Sequence, residues 1–349
     1  MREFCGLLEE DFEEFLVQEK ETSYRKKQLL HWVYRKGITN YTKMSNIPKT
    51  LKSVFAQKVR LNILTLKNIE ISQNNETMKF AWQLFDGHKI ESVLLCSGNR
   101  RTVCVSSQVG CAAQCAFCAS GQSGFIRNLT PAEIIEQVVH IHHHLLKDKK
   151  KVTHVVFMGM GEPLNNYSSV LQALKILTHP KLFALSSRKT TLSTVGIVPG
   201  IEKLTKEKVN VNLALSLHAP NQELRKKIVP SARKYPLEEI LRAVRNYARK
   251  SKKNITYEYI LIAGVNDKKK QAYELVNLLK NESCCINLIP FNPIPGIKLK
   301  CPAKEAVDQF RTILFDGGLR NTWRCTKGED IAAACGQLAL AREEKAVIS

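Results

Sequence analysis

Three cysteines, Cys111, Cys115 and Cys118, fall within eight residues of the segment VSSQVGCAAQCAFCAS, Val105 to Ser120. Their offsets of four and three define one face of a helix, so a buried helix carrying a cysteine stripe is one reading. Gly110 before the first and SGQSG after the last favour a loop, in which backbone wraps around an object. Zinc is a second reading. A structural zinc site closes with four ligands, and no fourth Cys or His stands at local finger spacing. His140, His142, His143 and His144 belong to an apolar-periodic helix and read as packing or surface residues. The third reading is an iron–sulfur cluster. Four thiolates make an electron carrier, whereas three leave one iron of a [4Fe–4S] cluster free to take a chelating small molecule. The chain has eleven cysteines, an odd number that no complete set of disulfides can use. Metal, cluster or catalytic thiols are therefore expected for the tight group. Cys5, Cys96, Cys284, Cys285, Cys301 and Cys325 read as small buried apolar side chains.

Other chemistry-bearing residues recur at the ends of apolar runs. FMGMGEP follows VTHVVF: Gly159 and Gly161 let backbone approach a ligand closely, and Glu162 offers oxygens to an ammonium or a ribose hydroxyl. Ser193 in LSTVG, Ser216 to His218 in SLHAP, and Asn292 in IPFNP end later runs. Each alone reads equally well as a polar turn. Together they place polar and Gly/Pro residues at the carboxyl ends of successive strands, the face where parallel α/β folds bind ligands.

The elements that position these residues follow from the pattern. TVCVSS, VTHVVF, KTTLSTV, VNVNLALSL, NITYEYILI and CCINLIP read as buried strands, separated by helices such as PAEIIEQVVHIHHHLLK with Pro131 in its first turn. Six such βα units predict a parallel sheet covered by helices. Six is fewer than a closed eight-unit barrel needs, so the expected fold is α/β, a partial (β/α)6 barrel. Residues 1–60 predict a small helical domain, with helices over 7–19, 24–37 (Gly37 its C-cap) and 50–59. Residues 61–100 predict a connecting β-hairpin, KFAWQLF and KIESVLL around the turn Asp86-Gly87. Residues 101–349 form the barrel and a C-terminal extension.

Lys and Arg number 53 against 32 Asp and Glu, a net charge of +21. Such an excess attracts polyanions, above all nucleic acid. The run Lys147, Lys149, Lys150 and Lys151 reads as a solvated helix end. Apolar runs fall short of the ~20 residues of a membrane helix, and MREFCGLLEEDFEEFL lacks the features of a signal peptide. A cytoplasmic protein is expected.

The cysteine spacing after a first strand resembles the signature of radical S-adenosylmethionine enzymes. More specifically, YRKKQLLHWVYRKG, CVSSQVGCAAQCAFCASGQSGF, VVFMGMGEPLNN, LSLHAP, NLIPFNP and DIAAACGQL together resemble the RlmN/Cfr family of adenine-modifying RNA methyltransferases, over about residues 20 to 340. The resemblance implies that Cys111, Cys115 and Cys118 hold one [4Fe–4S] cluster. It implies that Gly161, Glu162, Ser193, Ser216, Leu217, His218 and Asn292 contact S-adenosylmethionine, two molecules of which are used per turnover. Cys335 would carry the methyl group, Cys104 would be its resolving partner, and Glu91 matches the proton acceptor. An adenine ring carbon is a poor nucleophile, so the family's scheme moves the methyl first to a cysteine thiolate. A radical from a second S-adenosylmethionine then takes hydrogen from that methyl, and the resulting carbon radical adds to the ring. Cys104 attacks the sulfur of Cys335 and frees the product, leaving a Cys104–Cys335 disulfide. Either Glu91 or Cys104 would remove the ring proton.

The same resemblance implies 23S rRNA and tRNA as partners, an external flavodoxin- or ferredoxin-type reductant, and a monomer. The family divides by target atom, C2 or C8 of adenine; MGMGEPLNN and NLIPFNP resemble the C2 branch. Lys327 stands where the family pattern has Arg, keeping the charge and losing bidentate phosphate pairing. Without the resemblance, Cys335 and Cys104 read as packing cysteines, Glu91 as a strand-surface carboxylate, and the chain as a basic RNA-binding protein with a structural metal.

Overall fold

The computed structural model describes residues 1–324 and 326–339. Cys325 and the last ten residues of the expected 101–349 unit lie outside the described residues. The apolar runs assemble into one ten-stranded sheet whose strands lie side by side in chain order. They are β1 (Thr65–Ile71), β2 (Thr77–Gln83), β3 (Lys89–Ser97), β4 (Arg100–Cys104), β5 (His154–Phe157), β6 (Thr190–Thr194), β7 (Asn212–Ser216), β8 (Ile255–Leu261), β9 (Cys284–Pro290) and β10 (Asn321–Trp323). β1 to β4 pair antiparallel; β4 to β10 pair parallel. Strand twist of one hand curls such a sheet, and β1 and β10 remain its two edges, so the barrel is open.

The six expected parallel strands are β4 to β9. A seventh, β10, has three residues and no apolar run to announce it. The expected hairpin turns at Asp86-Gly87, where Leu84 N donates to His88 O at 2.8 Å. A further strand, β1, precedes it, and all three continue the main sheet.

Helices cover the outer face because each presents one apolar stripe. Pro131–Leu146 starts with the Thr130 side chain accepting from Glu133 N at 3.2 Å, while Glu133 accepts from Thr130 N at 2.8 Å. Its four histidines pack as expected. His142 contacts the Arg35 carbonyl at 3.3 Å, His140 and His144 lie against Trp82 and Phe80, and His143 lies under Gly37. The four lysines after it are exposed.

The N-terminal helices span Glu9–Gln18, Ser23–Leu30 and Lys49–Lys58. The second ends earlier than expected: His31–Arg35 continues as a wider π turn. Gly37 still closes it, at φ +63°, where a Cβ would meet His143 at 2.8 Å. This unit is fastened to the barrel helices by polar contacts. Arg35 donates to Phe183 O at 2.7 Å, Glu9 pairs with Lys181 at 2.8 Å, and Thr130 donates to Glu3 at 2.8 Å. Of the isolated cysteines, Cys5 and Cys284 are buried as expected, Cys96 and Cys285 are half-buried, and Cys301 is exposed because it sits in the loop before Lys304–Asp316.

Candidate active site

The cysteine triplet lies on a loop, which removes the helix-stripe reading. Two short strands, Gln108–Gly110 and Phe125–Asn128, pair antiparallel and form its neck. Gly110 is at φ +73°, and a Cβ there would stand 1.8 Å from the Gly124 carbonyl. That same carbonyl accepts from Cys111 N at 2.8 Å, so only glycine closes the neck. The three thiols line one cavity of about 140 Å³ at the carboxyl ends of the central strands. Burial pushes the Cys111 thiol up to about 12 and raises Cys115 and Cys118 as well, and Cys111 and Cys118 raise Cys115 further. Three such thiols gather stably as thiolates only around positive charge, which an iron cluster provides. The donor set therefore fits a cluster.

Gly159, Gly161, Glu162, Ser193, Ser216 and His218 line this same cavity. Gly161 is at φ +101°, and a Cβ would meet the Gln108 side chain at 2.6 Å and its amide at 2.8 Å. Glu162 is buried and braces two strand-end loops, accepting from Leu164 N at 3.0 Å and Val195 N at 2.8 Å. Ser193 Oγ and Ser216 Oγ stand 3.3 Å apart across β6 and β7. His218 adopts φ +58°. Its Nδ1 accepts from Ile260 N at 3.1 Å, and its ring meets Phe117 edge-on at 4.6 Å. Burial lowers its pKa to about 3, so it is neutral. Leu217 turns the other way: its side chain is in the hydrophobic core, and it is not in this cavity's lining. Asn292 lies outside this cavity's lining, donates to Cys335 O at 2.9 Å and accepts from Thr326 at 3.1 Å.

The two thiols distant in sequence meet here. Cys104, at the end of β4, and Cys335 line a cavity of about 60 Å³ together with Cys118. The Cys335 segment docks on the cluster loop: Ala119 N donates to Gly336 O at 2.7 Å, and Ser120 Oγ to Leu338 O at 2.5 Å. Gly336 is at φ +86°, and a Cβ would meet Phe117 O at 2.8 Å. Burial, then the nearby Cys335, pushes the Cys104 thiol up to about 12. Glu91 is not in the lining of these cavities. It accepts from Ala339 N at 3.2 Å and pairs with Lys79 at 3.5 Å, and burial raises its pKa.

A larger cavity of about 510 Å³ opens beside Cys335 inside the barrel. It brings in residues not singled out above: Glu258 on β8, Asn287 on β9, and Arg324 after β10. Arg324 lines all three cavities; the charge of Cys335 raises its pKa, with Glu258 and Cys104 adding to it. Lys327 also lines the large cavity and pairs with Glu76 at 2.8 Å. Arg225, wholly buried, ties strand ends together by donating to Leu217 O at 3.1 Å and to Ser216 O at 3.2 Å. No motif marks Arg225, and its burial reveals the clamp.

Comparison with known proteins agrees with this geometry. Residues 105–276 match the radical SAM superfamily, and residues 3–61 match the N-terminal domain of ribosomal RNA large subunit methyltransferases. The chain is 55% identical over 331 residues to a probable dual-specificity RNA methyltransferase RlmN 2 of Protochlamydia amoebophila, covering 95% of this chain and 92% of that one. It is 46% identical over 317 residues to a probable dual-specificity RNA methyltransferase RlmN of Thermus thermophilus, covering 91% and 89%. A crystal structure of a radical SAM methyltransferase from Sphaerobacter thermophilus superposes with a TM-score of 0.94 at 40% identity, covering 97% of this chain and 99% of that one. The chain thus belongs to the RlmN family of radical SAM RNA methyltransferases, whose members use a [4Fe–4S] cluster and S-adenosylmethionine.

Proposed function

We propose that this protein methylates C2 of an adenosine in the peptidyl transferase centre of 23S rRNA and of the adenosine beside the tRNA anticodon. The observation that carries the reading is the shared cavity of Cys104 and Cys335 against Cys118. Cys335 lies more than two hundred positions from Cys104 and Cys118 yet shares their cavity, which supports reading the three as methyl carrier, resolving thiol and cluster ligand.

In this reading Cys111, Cys115 and Cys118 hold one cluster, leaving an iron for S-adenosylmethionine. Gly161, Glu162, Ser193, Ser216 and His218 surround the cofactor. When bound, the cluster supplies the electron that cleaves S-adenosylmethionine to a 5′-deoxyadenosyl radical, a second cofactor molecule having already given its methyl to Cys335. Cys335, as thiolate, displaces that methyl from the sulfonium and releases neutral thioether. Asn292 and the Gly336 turn hold the Cys335 segment over the cavity. Cys104 later attacks the Cys335 sulfur, forming the S–S bond as the S–C bond to the product breaks. Glu91 or Cys104 accepts the ring proton; Glu91 stands beside the Cys335 segment, accepting from Ala339 N. An external flavodoxin- or ferredoxin-type donor supplies electrons, and the protein works as a cytoplasmic monomer.

The charge of +21 supports a polyanionic substrate, and the target base leaves its stack to reach so enclosed a site. Mass spectrometry of RNA nucleosides from cells lacking and then regaining the protein tests the reading. Restoration of 2-methyladenosine is expected; 8-methyladenosine without it overturns the C2 assignment.

A further inference from the structure

Glu258 stands in the middle of β8, in register with Ser216 on β7 and Asn287 on β9. It is 4% exposed. Oε1 accepts from Asn287 Nδ2 at 3.1 Å. Oε2 is buried and has no hydrogen-bond partner among the described residues. A buried carboxylate oxygen left unpaired is costly and rare in folded proteins. Burial raises the pKa of Glu258, and the Arg324 charge on the same wall opposes that rise.

Oε2 has almost no accessible surface, so a partner reaches it once the carboxylate turns toward the cavity wall to which Glu258 belongs. Glu258, Met158, Ile289, Arg324 and Cys335 line both the cofactor cavity and the 510 Å³ cavity beside it. A target base must place its reacting carbon against Cys335 and its ring in the open space, so it lies along this wall. A carboxylate is acceptor-only and takes an N–H or O–H. Held in one pose, adenine presents a 6-amino donor where guanine presents a 6-carbonyl oxygen that a carboxylate repels.

We propose that Glu258 reads the 6-amino group of the target adenine through Oε2, making it a specificity residue for the base. The inference rests on the RNA-adenine reading above. Its rival is a donor on the cofactor, a ribose hydroxyl or the ammonium, filling the same oxygen.

The experiment uses the full chain with its cluster reconstituted, and two RNA stem-loops carrying either adenosine or purine riboside, which has hydrogen in place of the amino group, at the target. Wild-type kcat/KM falls about 100-fold for purine riboside, since the buried acceptor is again unpaired. In Glu258→Leu, which removes the acceptor and keeps bulk, that ratio shrinks to about threefold or less, the behaviour of a coupled pair. Equal loss on both RNAs in Glu258→Leu, with the ratio intact, makes Glu258 merely structural and overturns the proposal. Wild-type protein that turns over both RNAs equally overturns it without any variant, and should Glu258→Leu misfold, Glu258→Met, which also removes the acceptor and keeps an unbranched chain, is read in the same way. Methyl loading of Cys335 without RNA, read by peptide mass spectrometry, separates the rival. A loss there as large as the loss with RNA assigns Glu258 to the cofactor and overturns the proposal. Wild-type protein that methylates neither RNA refutes the parent reading itself, a result distinct from equal turnover of both.

Discussion

The neck of the cysteine loop offers a quantitative test through Gly110→Ala. An alanine at φ +73° takes up a left-handed conformation, costing about 1 kcal/mol. Its Cβ would sit 1.8 Å from the Gly124 carbonyl, where real contacts stay above 3.0 Å, so backbone must separate by about 1.2 Å. Gly110 ends one paired strand and Gly124 immediately precedes the other, so both clashing groups are backbone and no flexible side chain yields. The carbonyl that must retreat is the acceptor for Cys111 N; losing that bond adds about 1 kcal/mol. Together these give about 2–3 kcal/mol, concentrated beside the first cluster ligand. Gly124→Ala is the matched control. It has nearly the same φ, +74°, and nothing within 4 Å of its Cβ, so it carries the conformational cost of about 1 kcal/mol alone. Both variants are reconstituted anaerobically, then assayed for iron and sulfide and unfolded in denaturant. Gly110→Ala should retain much less iron and be less stable than Gly124→Ala by about 1–2 kcal/mol. Equal iron content and equal stability in the two variants would refute the closed-neck argument.

Three further outcomes follow from the site. Cys335→Ala should abolish methyl transfer, whereas Cys104→Ala should leave RNA covalently attached to Cys335, seen as a slow-migrating band in denaturing gels. Asn292→Ala removes the 2.9 Å bond to the Cys335 carbonyl; loss of about 1 kcal/mol of positioning should slow methyl loading of Cys335 several-fold, measured by peptide mass spectrometry. His218 is held neutral by burial, with its pKa lowered to about 3. Below about pH 6.5 the unfolded chain takes up a proton that the folded chain refuses. Stability from this residue is therefore present above about 6.5 and lost as pH falls toward 3. The slope of thermal stability against pH in that window should be shallower by about one proton in His218→Asn, and an unchanged slope would remove His218 from the account.

What was legible in the sequence, and what was not, divides along the reach of each interaction. Gly110, Gly161 and the strand-end motifs announce themselves because a tight approach or a positive φ leaves a glycine in the chain whatever the tertiary context. The six expected strands do so because most of their residues are buried and their runs are rich in apolar and β-branched side chains. β10 is too short for any such run, and Cys335 carries no local mark at all. Its docking on Ala119 and Ser120 joins residues more than two hundred positions apart, which only resemblance could anticipate. Glu258 and Arg324 are hidden for a different reason. A strand's inward face is every second residue, so Glu258 in ITYEYIL looks like the polar half of an ordinary alternation until the sheet curls and that half faces a cavity. Leu217 shows the same rule in reverse: it adjoins Ser216 and His218, yet its side chain turns to the core while theirs line the site. A motif names a stretch of chain, but alternation decides which of its side chains can touch a substrate. The residues that discriminate between bases are therefore to be sought on the inward positions of β8 and β9, where no short motif points.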